Sequence, residues 1–280
     1  MQSGVFYRSR LYPEHYKKET SADSSAGTDE ETKSYSIVTD SDRKLVYAKI
    51  PKCISAETDS VKADLKQALE SADIENVILD FRQNPGGPFT FVTDGVLPAV
   101  LDHDAGLMNG AFFPNNEYSK DFCENIIYSA GLKIKKSGDR YHSENDFTVK
   151  GEAAKSYNIY ALTNHNTISS GDIFAYIAKQ EGIHIIGQNT GGSGLSGNPL
   201  ESYLPNSKLQ FVFECGISDV FPEDGYAGVS PDHFVKDNWE TYLKRQELLS
   251  ENDTDDIMSY ENRQKWDPYL LKALELIDTK

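Results

Sequence analysis

The chain has 280 residues, long enough for one large domain or two modest ones, and its 38% hydrophobic share is low for a globular protein. Lys and Arg total 28 against 44 Asp and Glu, a net charge of −16. That balance excludes nucleic acid or an anionic membrane surface as the natural partner, because phosphate neutralisation needs clustered cations.

In chain order, residues 20–34 read TSADSSAGTDEETKS, with almost nothing to bury against the entropy of ordering, and form a solvated linker closing an N-terminal extension, 1–34. The runs SYSIVTD (34–40) and KLVYAKI (44–50) flank a turn at Ser41-Asp42 and predict a hairpin ended by Pro51. Over 58–71, Val61, Leu65 and Leu69 recur every fourth residue and predict an amphipathic helix. NVILDF (76–81) reads as a strand buried on both faces, and Arg82-Gln83-Asn84-Pro85-Gly86-Gly87 forces a turn after it. Residues 89–101 predict a buried helix despite Gly95 and Pro98, and AFFPNNEY (111–118) suits core or a flap.

Further along, 124–136 and 139–151 predict a strand-rich excursion. NIYALTN (158–164) is a second buried strand, followed by a helix over 170–180, a stop at Gly182 and a short strand IHIIG (183–187). Strand, helix and strand in quick succession predict a parallel βαβ arrangement and an α/β fold. ESYLP and KLQFVFE form a hairpin around Asn206-Ser207. Near the C-terminus Leu270, Leu271, Leu274 and Ile277 mark a helix docked by one face.

Cys53, Cys123 and Cys215 are odd in number and widely spaced, with neither metal-ligand spacing nor a disulfide framework, and no cofactor or metal is indicated. The basic clusters Lys17-Lys18 and 133–136 read as solvated faces. No run approaches the roughly 20 apolar residues of a membrane span, and the first residues lack a secretory apolar core. The protein is expected to be cytoplasmic, or to have lost a targeting segment.

Two turns carry the chemistry. The first, 82–87, and the second, Thr167-Ile168-Ser169-Ser170-Gly171-Asp172, each follow a buried strand, where open α/β sheets place their ligand crevice. Paired glycines let backbone N–H groups approach a ligand, and a serine at the start of a helix sits at the positive end of its dipole. One N–H from each turn would form an oxyanion hole, worth about 3–4 kcal/mol per donor.

VILDFRQNPGG resembles the signature of the C-terminal processing (tail-specific) serine proteases, related to the tricorn protease core and to retinoid-binding repeats. The resemblance continues through YALTNHNTISSGDIFAYIAKQEGIHIIGQNTGGSG, YLPNSKLQF, GVSPDHFV and WDPYLLKAL, so it covers about Ser34 to the C-terminus. It implies a crotonase-like spiral of β-β-α units, with a catalytic domain over 35–240 and a helical segment, 241–280, packing on the core. Ser169 matches the nucleophile, Ser170 one oxyanion donor, and Gly86 or Gly87 the other. Gly187, Thr190, Gly192 and Gly194 match a G-x-x-T-x-G-x-G turn near the nucleophile, and Gly228, Val229, Pro231 and Asp232 a closing, structural G-V-x-P-D.

Two departures concern the general base. Where the family carries lysine, this chain has Ser193, whose hydroxyl is no base at neutral pH. The tricorn-like branch uses an upstream His and a Glu near the closing motif; here Tyr226 and Ala227 precede Gly228, with Glu223 and Asp224 nearby. His165, four residues before Ser169, and His103 are the candidate bases, while His184 reads as packed in its strand. The usual substrate-binding PDZ module is not in these residues, and the core starts so early that the chain is expected to be part of a longer product. The expected function is peptide hydrolysis through an acyl-enzyme at Ser169. The alternatives are a peptide-binding or scaffold relative without a base, and an esterase of small acyl groups.

Overall fold

The computed structural model describes residues 33–279 other than 71–72, 109, 117–118, 120–132, 145, 194–198, 205, 215, 219–227 and 252–257. The N-terminal extension (save 33–34), Gly194 and the stretch containing Glu223, Asp224, Tyr226 and Ala227 lie outside the described residues. The chain divides into two compact units, one made of 33–107, 148–194 and 222–280, the other including 108–147 and 195–221.

The larger unit is built on a six-stranded sheet: β1 (Ser36–Asp40), β2 (Leu45–Lys49), β3 (Asn76–Asp80), β4 (Asn158–Thr163), β5 (His184–Gly187) and β6 (His233–Phe234). Their spatial order is their chain order. The β1–β2 hairpin is antiparallel and every later pairing is parallel. When parallel strands are added in one direction by right-handed crossovers, the crossover helices fall on one face. Accordingly α1 (Thr58–Glu70), a π turn at Phe91–Val96 running into α2 (Leu97–Val100), and α3 (Ser170–Gln180) pack together. Val61, Leu65 and Leu69 are the buried residues of α1, as their spacing requires. The expected buried helix over 89–101 is therefore a π turn continued by one α-turn.

The opposite sheet face exposes every second strand residue, Leu45 and Tyr47, Ile78, Tyr160 and Leu162, Ile186. It is covered by α5 (Tyr260–Arg263) and α6 (Pro268–Asp278), through Tyr260, Tyr269, Leu270, Ala273, Leu274 and Ile277. Asp267 caps α6, its carboxylate accepting from the Tyr269 and Leu270 N–H groups, and Pro268 takes the first position. A further helix, α4 (Trp239–Glu251), lies within the expected helical segment, 241–280, save its first two residues, and Leu248 is the residue it buries among those described. His184 is exposed rather than packed: it is the first residue of its strand and stacks on Tyr160 at 5.6 Å between ring centroids.

The smaller unit holds a four-stranded antiparallel sheet, ordered Ile217–Ser218, Ala111–Pro114, Arg140–Glu144 and Lys133–Ser137. Within it Ala111 and Phe113 are buried and Phe112 and Pro114 exposed, the period of two that a half-covered strand requires. The expected hairpin is present as Pro199–Tyr203 paired antiparallel with Gln210–Glu214.

Candidate active site

Strands β3 and β4 are neighbours, with Asp80 in register with Leu162, so the turns that follow them leave the sheet side by side. Asn84 organises the first. It is fully buried; its Nδ2 donates to the Ile50 carbonyl (2.8 Å) and its Oδ1 accepts from the Gly86 N–H (2.8 Å). Its own carbonyl accepts from the Ile168 N–H (2.9 Å), which fastens the second turn to the first. Thr167 adds a second tie, its hydroxyl donating to the Phe81 carbonyl (3.0 Å). The sequence reading treated Asn84 and Thr167 as turn residues. Their side-chain chemistry was the available signal, since buried amides and hydroxyls must find partners.

Ser169 occupies the position before α3 with φ 58° and ψ −118°, a conformation that non-glycine residues rarely adopt. Such a kink between strand and helix is how a nucleophile elbow lifts its hydroxyl clear of the backbone. Gly86, at φ 88°, lies directly against it: a Cβ there would fall 2.4 Å from Ser169 Cβ and 2.9 Å from its Oγ. A Cβ on Gly87, at φ 139°, would fall 2.0 Å from the Cys53 carbonyl oxygen. The structure thus brings Ser169, Ser170, Gly86 and Gly87 together, and the Ser170 hydroxyl donates to the Gly87 carbonyl (2.6 Å). Gly86→Ala should therefore destabilise by about 1–3 kcal/mol and displace Ser169, with loss of any Ser169-dependent activity; thermal melting and a serine-directed probe read both.

The two glycines are not equivalent. The Gly86 N–H is spent on Asn84, whereas the N–H groups of Gly87 and Ser170 are not engaged by any described residue. Gly87 and Ser170 are the pair left to receive an anion. Cys53, buried beside Asn84 at 3.6–3.7 Å, has its thiol pushed up to about 11 by burial, so it stays protonated at neutral pH.

The G-x-x-T-x-G turn is anchored on three sides. Gly191 N–H donates to the Thr167 carbonyl (2.8 Å), Gly192 N–H to Asp172 of α3 (2.8 Å), and Thr190 and Val229 exchange two hydrogen bonds. Asp232 accepts from the Ile185 N–H (2.9 Å) and pairs with Lys179, so the closing motif does hold the sheet edge.

The Ser169 hydroxyl has no hydrogen-bond partner among the described residues. His165 is exposed in the same turn, its Nδ1 3.4 Å from Gln188 Oε1. His103 is not brought to the nucleophile. Its ring bridges Asp102 and Glu181, both at 2.7 Å, and Glu181 ends the eleven-residue helix that Ser169 begins, about 16 Å along its axis. Hydrogen bonds that its ring donates to Asp102 and then Glu181 raise the His103 pKa above its ordinary value. A raised folded value stabilises while the imidazolium persists and is lost as pH climbs through it. His103→Gln should therefore lower stability by up to about 1 kcal/mol near pH 6, the small worth of an exposed pair, and by progressively less in alkaline melts.

A family model, Peptidase family S41, matches residues 44–235. No curated protein matches the sequence. Among solved structures, CPAF in its mature form complexed with lactacystin aligns with TM-score 0.54 at 16% identity, over 88% of this chain and 55% of its own. An S41 protease candidate from Bacteroides fragilis NCTC 9343 aligns with TM-score 0.54 at 15% identity, over 88% and 57%. A peptidase candidate from Parabacteroides merdae ATCC 43184 aligns with TM-score 0.52 at 17% identity, over 83% and 70%. This chain therefore spans little more than half the length of the first two. At such identities the likeness concerns the fold, a mixed α/β architecture with a parallel sheet.

Proposed function

Because the chain belongs to peptidase family S41, the C-terminal processing proteases, we propose that it is a serine hydrolase cleaving peptide bonds through an acyl-enzyme at Ser169. Ser169 Oγ attacks the scissile carbonyl carbon, and the carbonyl electron pair moves onto oxygen. The N–H groups of Gly87 and Ser170 receive that oxyanion. The hydroxyl proton passes to a base and then to the departing amine as the C–N bond breaks, and water releases the acyl group. Of the two histidines considered for the proton, only His165 shares the turn with Ser169, and His165→Gln tests that role through the pH dependence of turnover. The chain-ordered sheet with its crossover helices on one face supports reading the larger unit as a crotonase-like spiral. In that reading 35–240 is the catalytic domain and 241–280 a helical segment closing the core.

The observation that carries the proposal is the kinked Ser169 pressed against Gly86 at the start of α3, between two uncommitted amides. A fluorophosphonate probe should form one adduct, mapped to Ser169 by mass spectrometry, with parallel cleavage of unstructured peptides. Ser193 in the family's lysine position favours a second reading, a peptide-binding relative; absence of labelling from pH 5 to 10 would establish it. Turnover of nitrophenyl esters without any peptide cleavage would instead identify a small-acyl esterase.

A further inference from the structure

A second cleft of about 620 Å³ opens in the larger unit at the carboxyl ends of β2, β3 and β4. Its floor is an ion network. Arg82 spans Asp80 (Nε–Oδ1, 2.8 Å) and Asp267 (2.7 and 2.8 Å), and Arg263 contacts the same two carboxylates and the Tyr47 hydroxyl. Those four charges cancel. Two further cations line the cleft, Lys49 at the end of β2 and Arg245 on α4, and neither has an acidic partner among the described residues. Asp237, beside the Tyr269 hydroxyl at 3.4 Å, is the remaining acid. The lining thus carries one net positive charge on a chain whose net charge is −16.

Arg245 is placed for recognition rather than for solubility. Its guanidinium lies over the Trp266 ring at 5.4 Å, and its Nε is buried with no hydrogen-bond partner among the described residues. A buried donor left unmatched is costly. The Nε itself is shielded, and it is the place of Arg245 in the cleft lining that offers its guanidinium to an acceptor from outside the chain. Tyr242, also lining the cleft, stacks on Trp239 at 4.9 Å, and both are largely exposed, 48% and 69%. An apolar aromatic shelf therefore adjoins a planar cationic fork and an ammonium group.

We propose that this cleft binds a monocarboxylate carrying an apolar or aromatic group, its carboxylate held by Arg245 and Lys49 and its side group resting on Trp266 and Tyr242. The fork of a guanidinium matches two carboxylate oxygens, and the single excess positive charge suits a monoanion rather than a phosphate dianion. The cleft meets the first turn at Arg82 and Gln83 but includes none of Gly86, Gly87, Ser169 and Ser170, and it does not depend on Ser169 being a nucleophile. The ligand is either a free organic acid or the carboxyl terminus of a peptide.

The chain's two tryptophans, Trp239 and Trp266, both flank the cleft, so intrinsic fluorescence reports on it directly. N-acetylphenylalanine and a hexapeptide ending in phenylalanine should each give a saturable change, confirmed by calorimetry, and the tighter of the two identifies the source. The corresponding amides should bind about tenfold more weakly or worse, as should either acid to Arg245→Gln or Lys49→Gln. Both variants should melt like the parent chain. Equal binding of acid and amide, binding unchanged in both variants, displacement by millimolar inorganic phosphate, or no binding of either acid would overturn the assignment.

Discussion

Ser169→Ala should abolish fluorophosphonate labelling and lower peptide turnover by about four to six orders of magnitude while leaving the melting temperature nearly unchanged. Alanine keeps the Cβ and so keeps the unfavourable backbone at φ 58°, ψ −118°. Ser169→Gly should be equally inactive but more stable. Relief of a strained non-glycine conformation recovers roughly 1–3 kcal/mol, against about 0.5–1 kcal/mol of extra unfolded-state entropy. The expected net gain is about 1 kcal/mol, measured as a higher melting midpoint for the glycine variant than for alanine. A glycine variant no more stable than the alanine one would show that the turn is not under strain. Persistent turnover in either would remove Ser169 from the chemistry.

Arg263→Met should cost about 3–5 kcal/mol, lowering the melting temperature by roughly 10 °C. The side chain of Arg263 is 4% exposed and those of Asp80 and Asp267 are 2% and 1%, so its loss leaves two buried carboxylates sharing one guanidinium. Burial alone would lower the Arg82 pKa, but Asp80 and Asp267 beside it raise it above its ordinary value, so the remaining cation cannot relax by losing its proton. Adding Asp267→Asn to Arg263→Met should recover part of the loss, because asparagine removes the orphaned charge and still caps α6. A cost below about 1 kcal/mol for Arg263→Met would mean that water screens the network.

Much of the larger unit was legible because its signals are local. Val61, Leu65 and Leu69 fix one face of α1, and NVILD and NIYALT are apolar enough to be interior strands. The convergence of the 82–87 and 167–172 turns was also legible, since each ends a buried strand and the strands pair. What escaped depends on partners distant in sequence. Nothing local reveals that the Gly86 N–H is spent on Asn84, leaving Gly87 as the open donor. Likewise the His103 ring could be assigned only once Asp102 and Glu181 were seen on either side of it. The residues of α4 fell within the expected helical segment, 241–280, save the first two, but were not read as a helix of their own because few of them are buried. Nothing local tied Arg263 and Asp267 to Asp80 and Arg82.

The chain-ordered sheet has a consequence for how the molecule is assembled. Parallel neighbours β2 and β3 are joined by residues 50–75, whereas β3 and β4, the strands whose ends hold the paired glycines and the serine, are joined by residues 81–157. That connection is about three times as long, and bringing its ends together costs roughly 1 kcal/mol more chain entropy. Ladder formation at β3–β4 is thus the least local event in the sheet and the natural bottleneck of folding. Partly folded chains, with the hairpin and α1 already in place, would hold the serine and the glycines apart and be chemically inert.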